Sequence, residues 1–252
     1  HFTRLRDYLP PDLQWPEAAS LPDATLAQAA SFQAPNGGMS YYVPQDQYVS
    51  PYLSAYTALA FAWLREGGHT IPEAVETKLH GYLDAFLKRD VAPDFYTRSM
   101  TSTVRAVALA ALAKRGKLTL ADVQRYRTHV EYMSLFGKAQ YLQAALAVAG
   151  GEAIAREVGE IILQAGVRSG GTIAFNEVLD DGYLRISASP LNGNCAILSA
   201  LTQGALGAGE IGMADDVPFE LVRAITQARG TRDHWENTQE NMFCMSALLD
   251  YA

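Results

Sequence analysis

Cysteine, basic runs and long apolar stretches are what this 252-residue chain has least of. Two cysteines, Cys195 and Cys244, are too few for a disulfide framework and stand in no metal-ligand spacing. Lys and Arg number 20 against 27 Asp and Glu, for a net charge of -7, and no basic cluster occurs. That balance argues against nucleic acid, whose phosphates demand a Lys/Arg surplus on at least one face. The longest apolar run, Ala106 to Ala113, is closed by Lys114-Arg115 and falls short of the roughly 20 residues a bilayer span needs. Direct membrane insertion is therefore not expected. The five histidines, His1, His69, His80, His129 and His234, show neither HxxH nor HxxxH spacing, so no metal site is expected. Asp180-Asp181 and Asp215-Asp216 read as a turn before Gly182 and as negative charge at a helix start. No cofactor is implied.

Nearly half the residues are hydrophobic and 19% are charged, which describes a globular chain with a large core. Its size fits one domain over residues 1–252. His1 is not an initiator and no signal-peptide pattern follows, so the chain is expected to be a piece of a longer, multidomain protein. Prolines 10, 11, 16 and 22 make residues 1–22 irregular, an extended strap.

From Asp23 onward the chain repeats one theme, an amphipathic helix, a polar turn and another amphipathic helix. A short helix carries Leu26, Ala29 and Ala30 and ends before Pro35. Ser50 to Glu66 forms another, stopped by Gly67-Gly68. Thr70-Ile71-Pro72-Glu73 reads as a capping box ahead of Val75, Leu79, Tyr82, Leu83 and Phe86. Helical spacing recurs in Met100 to Ala111, Ala139 to Val148, Ile154 to Ala165 and Val217 to Ala228, with a second capping box at Thr119 to Asp122. Ser189-Pro190 starts a further helix and Thr238 is expected to cap the last one. One segment alternates instead. Thr172 to Val178, a turn at Asp181-Gly182 and Tyr183 to Ile186 predict a small β-hairpin.

About ten helices in pairs repeating at roughly forty residues, with no per-repeat consensus, favour a closed ring over an open solenoid. The fold class expected is all-α, an α/α toroid of helical hairpins with a small β-hairpin insertion. In such a ring the helices of Cys195 and Cys244 are parallel neighbours in one layer. The same distance from the proposed caps Ser189 and Thr238 points the two thiols one way, so they are expected to stay reduced.

The most pronounced break falls at Ala34-Pro35-Asn36-Gly37-Gly38, where Gly38 is expected to need a positive backbone angle. Tyr41, Tyr42, Tyr48 and Tyr52 gather after it, either as a contact surface or as packing of the domain's own end. The run from Gln33 through Gly37 and Gly38 to Tyr42, the helix Ser50 to Leu64, the restart Ser189 to Ala196, and the ending from Trp235 through Thr238 and Gln239 to Tyr251 together resemble the thioester domain of the alpha-2-macroglobulin family, its bacterial branch above all. That resemblance covers nearly the whole chain and implies an α/α toroid within a large periplasmic, membrane-tethered protein that traps proteases. Its partners would be the other domains of the parent and the proteases it meets. Thioester-bearing members carry Cys-x-Glu-Gln, whereas Cys195 precedes Ala196-Ile197-Leu198 and Cys244 precedes Met245-Ser246-Ala247. Neither can form the bond, so either the motif lies upstream of His1 or, the reading favoured here, the parent is a member that lacks it, and a structural or interaction role without enzymatic activity is expected of this chain. The alternative is a toroid enzyme, a glycosidase or a terpenoid cyclase. No Asp-rich motif or aromatic-flanked acid pair marks one.

Overall fold

The computed structural model describes residues 16–89, 91–186, 188–202 and 216–252. Residues 1–15 of the expected strap, with His1, and Asp215 lie outside them. The described chain is all-α apart from one two-stranded antiparallel hairpin. It gathers into two compact units, the first running to Val91 and the second from Ala92.

In the first unit a 3-10 turn, Pro16–Ala19, leads into α1 (Leu21–Gln28), which begins two residues before Asp23 with proline in its first turn. Helix α2 (Pro51–Glu66) starts where its sequence says it should, because the Ser50 hydroxyl accepts from Leu53 N at 3.2 Å. It ends at Gly68, whose φ of 89° lets His69 N reach Leu64 O at 3.0 Å and Gly68 N reach Arg65 O at 2.9 Å. Helix α3 (Glu73–Lys88) buries Val75, Leu79, Leu83 and Phe86 as the spacing requires and packs on α2. Thr70 does not cap it. Pro72 takes the N-cap position in an extended conformation, so the helix begins too late for a Thr70 side chain to close on it. Arg65 and the buried Glu76 then tie the two helices at 2.6 Å.

The second unit holds α4 (Arg98–Ala113), α5 (Leu120–Arg125), α6 (Leu135–Leu146), α7 (Glu152–Gln164), α8 (Pro190–Thr202), α9 (Val217–Ala228) and α10 (Thr238–Tyr251). Every second helix packs side by side, α4 on α6, α6 on α8 and α8 on α10. Helix α4 is buried almost all round from Ser102 to Ala113, as a helix without a polar face must be. Where α6 crosses it, a Cβ on Gly137 would lie 2.9 Å from Thr103 Oγ1, so only glycine permits that approach. The Thr119 capping box is present, with Thr119 N donating to Asp122 Oδ2 at 2.9 Å and Asp122 N to Thr119 Oγ1 at 3.3 Å. Helix α6 starts four residues before the expected Ala139, because Ser134 accepts from Gly137 N at 3.1 Å.

The hairpin forms, with a different partner strand. β1 (Gly166–Ser169) pairs with β2 (Thr172–Phe175) through Gly170-Gly171, both at positive φ, 58° and 75°. Two consecutive positive angles are what a two-residue hairpin turn needs, and a glycine pair supplies them better than Asp181-Gly182. Asp181–Ile186 instead coils as a 3-10 helix that buries Tyr183 and Ile186, three residues apart on one face. Asp180 Oδ1 accepts from Gly182 N at 2.8 Å, a local turn bond rather than half of an acid pair. Asn194 on α8 holds β2 in place, its side chain bonding both Phe175 N and Phe175 O at 2.9 Å.

Candidate functional site

The residues singled out by sequence fall into two groups, one in each unit. In the first unit, Gly37 N donates to Ala34 O and Ala34 N to Gly38 O, both at 2.9 Å, closing the turn over Pro35-Asn36. Asn36 Oδ1 accepts from Gly38 N and Asp46 Oδ1 from Asn36 N, again at 2.9 Å. The Gln33 side-chain amide donates to Gly37 O and to Val75 O, each at 2.9 Å, and so fastens the turn to the first turn of α3. Met39 N bonds the Ser54 hydroxyl at 2.8 Å and fixes the far side to α2.

The positive angle lies at Gly37, φ 91°, and not at Gly38 as expected. Gly37 closes the turn after Asn36, which is the position that must adopt the left-handed region. Gly38 is needed for room. A Cβ there would sit 2.3 Å from Val49 Cγ1 and 3.0 Å from a Tyr82 ring carbon. Gly38→Val should therefore cost about 1 to 3 kcal/mol through overpacking, read as a lowered urea midpoint. An unchanged midpoint would show that Val49 and Tyr82 yield freely.

From this pinned turn the segment 41–48 projects its aromatics. Tyr41, Tyr42 and Tyr48 are 49%, 89% and 55% exposed, while Tyr52, grouped with them by sequence, is 2% exposed and belongs to the core of α2. The Tyr41 and Tyr42 rings stand 6.5 Å apart. Partial burial pushes the Tyr41 phenol up, with Ser50 hydrogen bonding acting against it and Tyr42 adding to it. Tyr41 is thus a neutral hydroxyl at physiological pH. Beside it, between α1 and α2, runs a cavity of about 520 Å³ lined by Phe32, Tyr41, Leu53, Tyr56, Ala60 and Leu64 among others. None of its lining residues carries a formal charge. Helical spacing puts Leu53, Tyr56, Ala60, Phe61 and Leu64 on one side of α2; that Phe61 is buried while the other four are only partly covered is a tertiary fact.

In the second unit, Trp235 is buried and its indole Nε1 donates to Ile225 O on α9 at 3.1 Å. Thr238 is not the cap of α10. Asn237 is, its Oδ1 accepting from Gln239 N and Glu240 N at 3.0 Å each, while Thr238 is exposed in the first turn. Asn wins because its carbonyl oxygen reaches two amides from an extended backbone. Gln239 is half-buried and contributes its backbone to that cap. Sequence reading missed Glu240, a buried carboxylate that accepts from Glu236 N at 2.9 Å and from the Ser189 hydroxyl at 2.7 Å. Ser189 also accepts from Asn192 N at 3.2 Å, as the expected cap of α8.

The cysteines are not reduced thiols. Cys195 on α8 and Cys244 on α10 form a disulfide, with Cα atoms 4.8 Å apart and both side chains buried. The helices are parallel neighbours, tied also by Ser189 to Glu240 and by Ser199 to Asp250 at 2.9 Å. Two steps of the opposite expectation fail. Cα atoms lie about 2.3 Å off the helix axis, so facing residues on axes roughly 8 to 10 Å apart approach to about 3.4 to 5.4 Å. And with Asn237 as cap, Cys244 sits one residue further round its helix than Cys195 does, a turn of about 100° that breaks the assumed common direction.

Of the remaining candidates, His69 Nδ1 lies 2.9 Å from Asp23 Oδ1, His80 Nε2 3.9 Å from Glu76 Oε1, His129 Nδ1 3.2 Å from Ser102 Oγ and His234 Nδ1 2.7 Å from Trp235 O. Among the described residues no three His, Cys, Asp or Glu side chains gather as a metal site would need. Glu177, on the loop after β2, points both carboxylate oxygens at Leu135 N, at 2.9 Å. Burial pushes its carboxyl up, more than the α6 amides and Lys138 pull it down. It serves the start of α6. No described helix is long and apolar enough to cross a membrane.

No protein-family model matches the chain, and comparison with curated proteins finds no match. Solved structures do match. The fold is an all-α domain with a small hairpin, and the same fold occurs in bacterial alpha-2-macroglobulins. Native E. coli alpha-2-macroglobulin superposes over 92% of this chain with a TM-score of 0.73 at 19% identity. Salmonella alpha-2-macroglobulin reacted with methylamine does so over 89% with a TM-score of 0.71 at 20% identity, and the trypsin-activated E. coli protein over 93% with 0.69 at 19%. The chain spans only 14%, 14% and 15% of those three chains.

Proposed function

We propose that this chain is one domain, over residues 1–252, of a larger bacterial alpha-2-macroglobulin-like protease inhibitor, and that its role there is structural and interactive rather than enzymatic. The observation that carries the reading is the superposition over about nine-tenths of the chain. The side-by-side packing of every second helix in the second unit supports an α/α toroid, since alternating layers produce that pattern. The exposed tyrosines 41, 42 and 48 and the uncharged groove beside them suit contact with other domains of the parent, because aromatic residues are enriched and charge is depleted where interfaces bury surface. A buried disulfide fits the periplasm, where thiols are oxidised.

A thioester in this chain would need a free thiol and a glutamine three residues beyond it, and both cysteines are already bonded to each other. Treatment with methylamine, followed by mass spectrometry and thiol counting, is therefore expected to leave the mass unchanged and release no thiol. A gain of one methylamide together with a new thiol would overturn the assignment.

A further inference from the structure

Helix α1 is the least embedded helix of the first unit. It lies between two buried anchors, Ala18 and Ala29, yet Leu26 is its one buried residue. Open space flanks it on both sides. Towards α2 lies the 520 Å³ apolar cavity, and towards the α2–α3 connection lies a second of about 410 Å³, lined by Asp23, Ala27, His69, Thr70 and Pro72 among others. Across that second cavity the Asp23 carboxylate meets the His69 ring at 2.9 Å. Beyond Ala29 the chain is firm again, because Gln33 is clamped to Gly37 and Val75.

A helix that buries one side chain gains little from packing, and eight residues are too few to be stable as an isolated helix. We propose that α1 is a detachable lid over the apolar flank of α2, latched by the Asp23–His69 pair, and that it opens locally while α2 and α3 stay folded. Lifting it bares Leu53, Tyr56, Ala60 and Leu64, a stripe continuous with Tyr41. The lid thus sets how much apolar surface the first unit displays.

Hydrogen exchange of the whole chain, read by mass spectrometry, tests this. Amides of residues 24–28 should exchange at least about tenfold faster than those of 55–64, since local opening precedes global unfolding. Asp23→Ala and His69→Ala, made separately, should each speed exchange of 24–28 by about two- to fivefold, the scale of one partly exposed hydrogen bond, and leave 55–64 and 75–87 unchanged. Equal protection of α1 and α2 in the unaltered chain would overturn the proposal. So would either substitution leaving α1 unaffected, or accelerating α2 along with it.

Discussion

Replacing Cys195 and Cys244 together by alanine is expected to lower the stability of the chain by about 4 kcal/mol. The bond closes a loop over a sequence separation of 49 residues, and the chain-entropy model assigns a loop of that length roughly this amount. Alanine is the right replacement, because both sites are fully buried and a serine hydroxyl there would add a desolvation cost of its own. The check is a urea titration of the oxidised chain, the reduced chain and the double variant. Reduced and double-variant midpoints should coincide, well below the oxidised one. Thiol labelling in denaturant should find no reactive thiol before reduction and two after it. Two labels before reduction would mean that the bond does not form. Equal midpoints for all three would mean that α8 and α10 hold each other without it, through Ser189, Glu240, Ser199 and Asp250.

Trp235→Ala is expected to cost about 3 to 5 kcal/mol, the range for truncating a buried aromatic. Trp235 is 7% exposed and its Nε1–H is committed to the carbonyl of Ile225, so it joins the entry of α10 to α9. Trp235→Phe separates the two contributions. Phenylalanine keeps most of the apolar area but leaves the Ile225 carbonyl without its side-chain donor, a loss of about 1 to 3 kcal/mol. The urea midpoint of the Phe variant should therefore fall between those of the unaltered chain and the Ala variant. If the Phe variant were as stable as the unaltered chain, the indole hydrogen bond would contribute nothing. If it were as unstable as the Ala variant, the bond and not the packing would dominate.

The corrections among these residues share one cause. Ser189 and the Thr119–Asp122 box were legible because a cap bonds amides two or three residues away, within one turn of chain. Thr238 and Thr70 failed as caps because a neighbour, Asn237 in one case and the extended Pro72 in the other, took the terminal position, and a shift of one or two residues decides a cap. Gly37 and Gly38 were both marked as important, but their roles differ for reasons outside the turn itself. Gly37 is fixed by local geometry and Gly38 by Val49 and Tyr82, which reach it from elsewhere in the unit. Likewise the hairpin: Thr172 to Phe175 alternates visibly, whereas the choice of Gly166–Ser169 over 183–186 depended on Tyr183 and Ile186 finding a buried face in a 3-10 turn.

By itself, then, the sequence determined the all-α class, the approximate position of most helices and the apolar faces they bury, because helical periodicity is a property of residues close along the chain. Gln33, Tyr41, Tyr42 and Trp235 could be named from it, but not what they touch. Only the tertiary structure decided that Gln33 reaches Val75, that Tyr52 is core while Tyr41, Tyr42 and Tyr48 are exposed, and that Cys195 meets Cys244. Those facts depend on the rotation of one helix against another. A turn of 100° about an axis follows from a single residue at a cap, and packing across the unit, not local spacing, selects it.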